Sequence, residues 1–320
     1  MRAVVTGGAG FIGSTLVDRL VDQGTSVLVI DDLGSGRVEN LQDAISTGLV
    51  DLERLDVAGE DTERAIEAAR PDVVYHLAAQ MDVRRSVEDP FEDARVNVLG
   101  SIRVARATAA SGCRRLVFAA SGGTAYGEPD PSELPVDERA PVRVTNPYGV
   151  AKRTVEDYLG TFHELWGLEG VSLRLANVYG PRQNPHGEAG VVAIFCARLR
   201  AGQPVTIFGT GAQTRDYVYV DDVVTGFLAA ASAPADAVAR QRLNIGTGVE
   251  TSVVELYQAL RQAAGTGAEP QFAPPRAGEL QRVSLDANLA GRVLGWQPKV
   301  DLGEGLARTW EWAGRAGSLP

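Results

Sequence analysis

Thr6-Gly7-Gly8-Ala9-Gly10-Phe11-Ile12-Gly13 follows the short apolar run Ala3-Val4-Val5-Thr6 and opens a helical pattern. Glycines at 7, 10 and 13 allow a tight strand-to-helix turn and a close approach of backbone to a pyrophosphate, whose charge rests on the helix amino terminus. The next apolar run, residues 26–30, ends at Asp31, and an acidic residue about 20 positions past such a loop can accept from an adenosine ribose 2′-hydroxyl. The same carboxylate repels a 2′-phosphate, so NAD is expected rather than NADP, with Arg37 arguing the other way. Gly7, Gly10, Phe11, Ile12, Gly13, Asp31, Asp32, Ser35 and Gly36 form the expected cofactor rim on these two turns.

Outward from this turn the chain alternates two textures. Runs at residues 3–6, 26–30, 52–55, 73–77, 116–120 and 171–175 are nearly continuous in apolar residues, as strands buried on both faces are. Helical patterns at 15–23, 60–69 and 95–110 lie between them. Alternation of this kind predicts an α/β fold, a doubly wound parallel sheet of Rossmann type. Asp56 and Val57 follow the third strand, at the level of an adenine; Leu77, Ala78, Ala79 and Gln80 follow the fourth. Asn97 in the next helix and Ala176 behind the sixth strand complete the expected cofactor set. After Tyr179 segments shorten, with Pro181, Pro185, Gly187, Gly190, Pro204, Gly209 and Gly211, and Arg242–Ile245 reads as one more strand. The expectation is a dinucleotide domain over 1–176 plus about 215–250, and a smaller C-terminal substrate-binding α/β domain over 177–214 plus about 251–320.

Asn146-Pro147-Tyr148-Gly149-Val150-Ala151-Lys152 reads as a helix start, with Asn146 as cap and Pro147 in the first turn. Tyr148 and Lys152 then share one helix face. Of 31 basic residues only Lys152 and Lys299 are lysine, so a lysine here points to chemistry that a guanidinium cannot perform. A phenol ionises near 10, too high for a base at neutral pH; a neighbouring ammonium and a nicotinamide cation favour phenolate. Tyr148 is the expected base for a sugar hydroxyl, and Lys152 the expected partner of the nicotinamide ribose.

Net charge is −10 with 22% charged residues, and no basic stripe marks a nucleic-acid binder. No apolar stretch reaches the roughly 18 residues of a membrane helix, and no basic, apolar leader opens the chain, so a cytoplasmic protein is expected. Cys113 and Cys196 lie far apart and His76, His163 and His186 lack ligand spacing, so neither a disulfide nor a metal is expected.

These motifs, with Ala119-Ala120-Ser121-Gly122-Gly123-Thr124-Ala125-Tyr126-Gly127, resemble the extended short-chain dehydrogenases/reductases. Asn177-Val178-Tyr179-Gly180-Pro181-Arg182-Gln183, Thr214-Arg215-Asp216-Tyr217-Val218, Asn244-Ile245-Gly246-Thr247-Gly248 and Arg276-Ala277-Gly278-Glu279 resemble the UDP-glucose 4-epimerases in particular. The resemblance implies a resident NAD. Tyr148 would take the sugar 4-hydroxyl proton while hydride leaves C4, and hydride would return to the other face of the turned-over ketone. It implies that Asn177, Val191, Arg215, Arg276 and Glu279 hold a UDP-sugar. Val283, four residues beyond Glu279, would line the sugar pocket and leave room for an N-acetyl group. It also implies a homodimer through helices 95–111 and 147–166. Many members carry the catalytic Ser or Thr four residues before Tyr126, where Gly122 stands, so Ser121 and Thr124 both remain candidates. Nucleotide-sugar 4,6-dehydratases and decarboxylases need an acid where Gly123 and Thr124 stand. Epimerisation at another carbon and a net reductase share the scaffold, and a non-catalytic NAD-binding regulator would be expected to lack the Tyr148/Lys152 pair.

Overall fold

A computed structural model describes residues 1–185, 190–276 and 278–315. His186 and Gly187 of the sequence reading, and Ala277 of the Arg276–Glu279 motif, lie outside these residues.

Six strands alternate with helices through the first half of the chain: β1 (Arg2–Thr6), β2 (Ser26–Asp31), β3 (Val50–Arg54), β4 (Val73–His76), β5 (Arg115–Ser121) and β6 (Glu169–Leu175). The strand Arg242–Ile245 adds a seventh. The order across the sheet is Arg242–Ile245, β6, β5, β4, β1, β2, β3, and every pairing is parallel. β1 lies between β2 and β4 because the chain builds one flank first and then crosses back to start the other. At that reversal the loops after β1 and β4 part, and a crevice opens outside the carboxyl ends of the strands. Apolar clusters fill both faces. Val5, Leu16, Val29, Val117, Leu173 and Phe227 belong to one, and Val4, Ile66, Val74, Leu116, Phe118 and Leu159 to the other.

Four elements depart from the sequence expectation; one of them, β6, begins two residues early at Glu169. β3 begins two residues early, and only Val50 along it is buried, because an edge strand has solvent on one side. The first helix, α1 (Phe11–Asp22), begins at the glycine loop rather than at residue 15, with extended Gly10 as its cap. The 95–110 helix is an α segment Pro90–Ala94, a π-helical turn Arg95–Gly100 and an α segment Ser101–Ala110. Such turns accommodate an extra residue and recur at functional sites.

Beyond Tyr179 a smaller body forms around Phe195, Ile207, Tyr219, Leu256, Tyr257 and Leu306. Its strands come in pairs: Asn177–Tyr179 with Tyr217–Tyr219, Thr206–Phe208 with Gln271–Ala273, and Thr214–Arg215 with Thr251–Ser252. The helix Val220–Ser232 packs on α1, and the helix Asn288–Leu294 with Trp296 also folds back onto the sheet core. The Trp296 indole donates to the Asp222 carbonyl at 2.8 Å. No described helix is long and apolar enough to cross a membrane.

Candidate active site

The glycine loop makes a cradle that only glycine can line. Gly7 has φ +71°, and a β-carbon on it would stand 2.6 Å from the Ala78 nitrogen; one on Gly13 would run into the Gly7 carbonyl. Asp31 is buried at the tip of β2, its Oδ2 accepting from Ala9 N and its Oδ1 from Leu33 N, each at 2.9 Å. The carboxylate thus ties the glycine loop to the β2 turn, and burial raises its pKa against those two bonds. Asn40, which the sequence did not single out, donates to Ala9 O at 2.9 Å. Asp32 and Ser35 are exposed on the rim, and Gly36 packs against Asp31.

Leu77–Gln80 forms the opposite wall. Asn97, in the π-helical turn, donates to Gln80 O at 2.8 Å and Asp93 Oδ1 at 2.9 Å, and its Oδ1 accepts from Gln80 N at 2.9 Å. Its side chain is spent on building that wall, which leaves no free donor for a ligand. Asp56 accepts from Arg95 Nη1 at 2.7 Å and from Ala58 N at 2.8 Å, while Val57 is buried beside it. Beneath the wall His76 bridges Thr6 Oγ1 (2.7 Å) and Ser101 Oγ (2.8 Å). Ser101 donates its own proton to Asn97 O at 2.6 Å, so the ring proton sits on Nε2 and Thr6 donates to Nδ1. Burial, with the Lys152 charge second, pushes His76 down to about 3 and keeps it neutral.

The catalytic candidates ride on the helix Pro147–Trp166, whose cap is Asn146 accepting from Gly149 N at 2.8 Å. Lys152 is buried and donates to Ala119 O, near the end of β5, at 2.9 Å. Its Nζ stands 5.7 Å from the Tyr148 ring centre and 4.7 Å from that of Phe118. Burial pulls Lys152 down to about 8 while Asp93 opposes it; burial, then Asp93, raises the Tyr148 phenol. Burial and Asp93 thus hold the phenol protonated in the fold without NAD; the expected phenolate rests on the ammonium and the nicotinamide cation together.

β5 delivers Ser121 half-exposed at its tip, and the short helix Gly122–Ala125 follows. A β-carbon on Gly122 would collide with Leu285 Cδ1 and lie 3.2 Å from the Arg174 and Leu175 carbonyls, so Gly122 faces the packed interior. On Gly123 it would meet only Asn177 Oδ1, at 3.9 Å. Thr124 Oγ1 is enclosed without a hydrogen-bond partner.

Asn177 connects this turn to the remaining candidates, because its strand pairs with Tyr217 directly opposite. Arg215 lies two residues before Tyr217, 3.7 Å from Glu279 Oε1, and donates to Thr214 O at 2.7 Å. Arg276 stacks on Phe208, 4.0 Å from the ring centre. The Tyr217 hydroxyl is buried without a partner beside the charges of Arg215 and Glu279. Phe208 and Tyr217 escaped the sequence reading, although the Arg215 motif spells out Tyr217. Val191 is half-buried at the start of the helix Val191–Arg200, Ala176 bonds through N–H to Ile245 O at 2.9 Å, and Val283 is almost fully buried. Among the described residues no group of three or more His, Cys, Asp or Glu could hold a metal.

Residues 3–246 match the family described as NAD dependent epimerase/dehydratase. A UDP-glucose 4-epimerase from Mycolicibacterium smegmatis is 50% identical over 311 residues, covering 97% of this chain and 98% of that one. The crystal structure of a Thermotoga maritima UDP-glucose 4-epimerase with UDP-glucose superposes with a TM-score of 0.93 at 42% identity, covering 99% of each chain. A Thermus thermophilus UDP-glucose 4-epimerase complexed with NAD gives 0.89 at 41% identity, covering 99% of this chain and 100% of that one.

Proposed function

Given that the chain belongs to the NAD dependent epimerase/dehydratase family, we propose that it interconverts UDP-glucose and UDP-galactose by transient oxidation at C4. The observation that carries this reading is the open position at Gly123. It faces Asn177 with no acid on it, on the turn that packs against the helix carrying half-buried Tyr148 and buried Lys152. Elimination of water needs an acid placed on the sugar; removal and return of one hydride needs only the pair and a cofactor. The Gly7–Gly13 cradle and Asp31 fit NAD, which when bound supplies a hydride acceptor and a positive ring.

Tyr148 Oη takes the proton of the sugar 4-hydroxyl and later returns it. Lys152, anchored on Ala119 O, keeps a positive charge behind the phenol. Ser121, half-exposed at the β5 tip, donates to the sugar O4; Thr124, with its enclosed and unsatisfied hydroxyl, is the alternative. Arg215 and Arg276 take the diphosphate, leaving Glu279 and Phe208, because charge-assisted bonds to phosphate are strong. Tyr148→Phe removes the base alone: turnover should fall about 10²–10⁴-fold with NAD and UDP-sugar affinity retained, and near-normal turnover would refute the assignment. N-acetylated sugars are admitted if Val283 leaves the space that a larger residue would fill, which turnover of UDP-N-acetylglucosamine by the wild type checks.

The chain works as a cytoplasmic homodimer. Val150, Tyr158, Leu165 and Trp166 on the catalytic helix and Leu99 on the π-helical turn are large apolar residues left exposed. Sedimentation should give twice the chain mass of 33.9 kDa, and a monomer would overturn this arrangement.

A further inference from the structure

We propose that Asp93 is the buried counter-charge of the Tyr148/Lys152 pair, and that it positions the pair's protons through its charge rather than through its hydrogen bonds. The inference rests on the epimerase reading for the identity of the base. Asp93 is 1% exposed, on the segment Pro90–Ala94 that packs against the catalytic helix. Both its bonds fall on one oxygen: Oδ1 accepts from Gln80 Nε2 and from Asn97 Nδ2, each at 2.9 Å. Among the described residues it takes part in no ion pair. Burial raises the Asp93 pKa, and the bonds from Gln80 and Asn97 and the Lys152 charge across the helix contact pull it back down, so Lys152 is its counter-charge at longer range.

The surrounding charges are otherwise engaged or exposed. Glu92 and Asp56 close on Arg95, Glu63 closes on Arg103 and Arg106, and Glu156 closes on Arg174. On the catalytic helix Arg153 pairs with Asp157. His76 on β4 is neutral, and Tyr126 donates to Asn244. Around the helix Val83–Glu88, Asp82 is half-exposed, and Arg84, Arg85, Glu88 and Asp89 are exposed to water. That leaves Asp93 acting on both members of the pair. It supports the Lys152 charge against burial and adds to the rise of the Tyr148 phenol. The two effects oppose each other in the chemistry. Asp93 holds the proton on Tyr148 Oη until the nicotinamide cation offsets it, and only then can that proton site accept from the sugar O4 and return to it. Lys152 stays charged in a place that would otherwise strip its proton.

Asp93→Asn separates charge from bonding, because the amide oxygen can still accept from Gln80 and Asn97. Two readouts on the NAD-loaded protein test the proposal: the pH dependence of kcat on UDP-galactose, and tyrosinate difference absorbance with Tyr148→Phe as blank. Both limbs of the profile, and the Tyr148 titration, should move to lower pH by at least about half a unit. Asp93→Glu should move them back. Loss of rate in Asp93→Asn with both midpoints unmoved means a structural role and overturns the proposal. If Asp93→Asn does not fold, Asp93→Glu decides, since it keeps the charge and alters the bonds. Its midpoints must stay at the wild-type values, and a shift of about half a unit or more refutes the idea. A wild type inactive on UDP-galactose would sink the epimerase reading alone, because the absorbance titration still reports on Asp93.

Discussion

Arg174→Met should cost about 3 kcal/mol of stability, at the low end of the 3–5 kcal/mol for breaking a buried pair. Arg174 on β6 is 1% exposed. Its Nε donates to Glu156 Oε1 at 2.8 Å and its Nη2 to Oε2 at 2.7 Å. Its Nη1 donates to Tyr126 Oη at 2.8 Å, and Tyr126 donates onward to Asn244 Oδ1 at 2.7 Å. Removing the guanidinium leaves an uncompensated carboxylate inside. The cost stays low because Arg242, with Nε already 3.4 Å from Glu156 and a third of its side chain exposed, can swing in. With an unfolding entropy of about 2.1 cal/mol/K per residue, this chain loses roughly 4–5 °C in Tm. Glu156 lies one helical turn beyond Lys152 and two beyond Tyr148, so turnover measured well below Tm should fall as the helix loses its tether to the sheet. The double variant Glu156→Leu/Arg174→Met buries no unpaired charge and should return to within about 1 kcal/mol of wild type. Circular-dichroism melts of the three proteins decide it. A single-variant loss below about 1 kcal/mol, or a double variant less stable than the single, would refute the reasoning.

Asp31→Ala should weaken NAD binding and relax discrimination against NADP, since the ribose acceptor, the repelling charge and the tether to Ala9 and Leu33 go together; unchanged preference in cofactor titrations would disprove the assignment. Ser121→Ala should slow turnover more than Thr124→Val, and equal full activity in both would mean that neither hydroxyl reaches the sugar. His76 is neutral in the fold at about 3 but titrates near 6.5 when unfolded. The unfolded chain therefore binds the extra proton, and stability held above pH 6.5 drains away toward pH 3, by up to the order of 5 kcal/mol from this one group. A His76→Gln melt series with the same acid slope as wild type would contradict that.

The sheet was readable because strands covered on both faces must be apolar throughout, and the rule failed where its premise failed, at the edge strand β3. The start of α1 was hidden because its first turn is built from glycine-loop residues that carry no apolar period. The π-helical turn left no trace, since one extra residue in a turn blurs rather than announces a helix. Tyr148 and Lys152 were visible through the Asn146-Pro147 start and the rarity of lysine. Asp93 was not: nothing local distinguishes it from a solvated helix acid, and its burial follows from three segments meeting. Asp216 is similar. Buried, it accepts from Thr247, Gly248 and Leu285, partners that only the folded chain brings to it.

The most direct test of the central claim is to incubate the purified protein with UDP-galactose in deuterated water, without added NAD. The account predicts UDP-glucose carrying no deuterium at C4, because the hydride that leaves is the hydride that returns. Deuterium in the sugar ring, loss of water from the substrate, or no UDP-glucose even when NAD is added would contradict it.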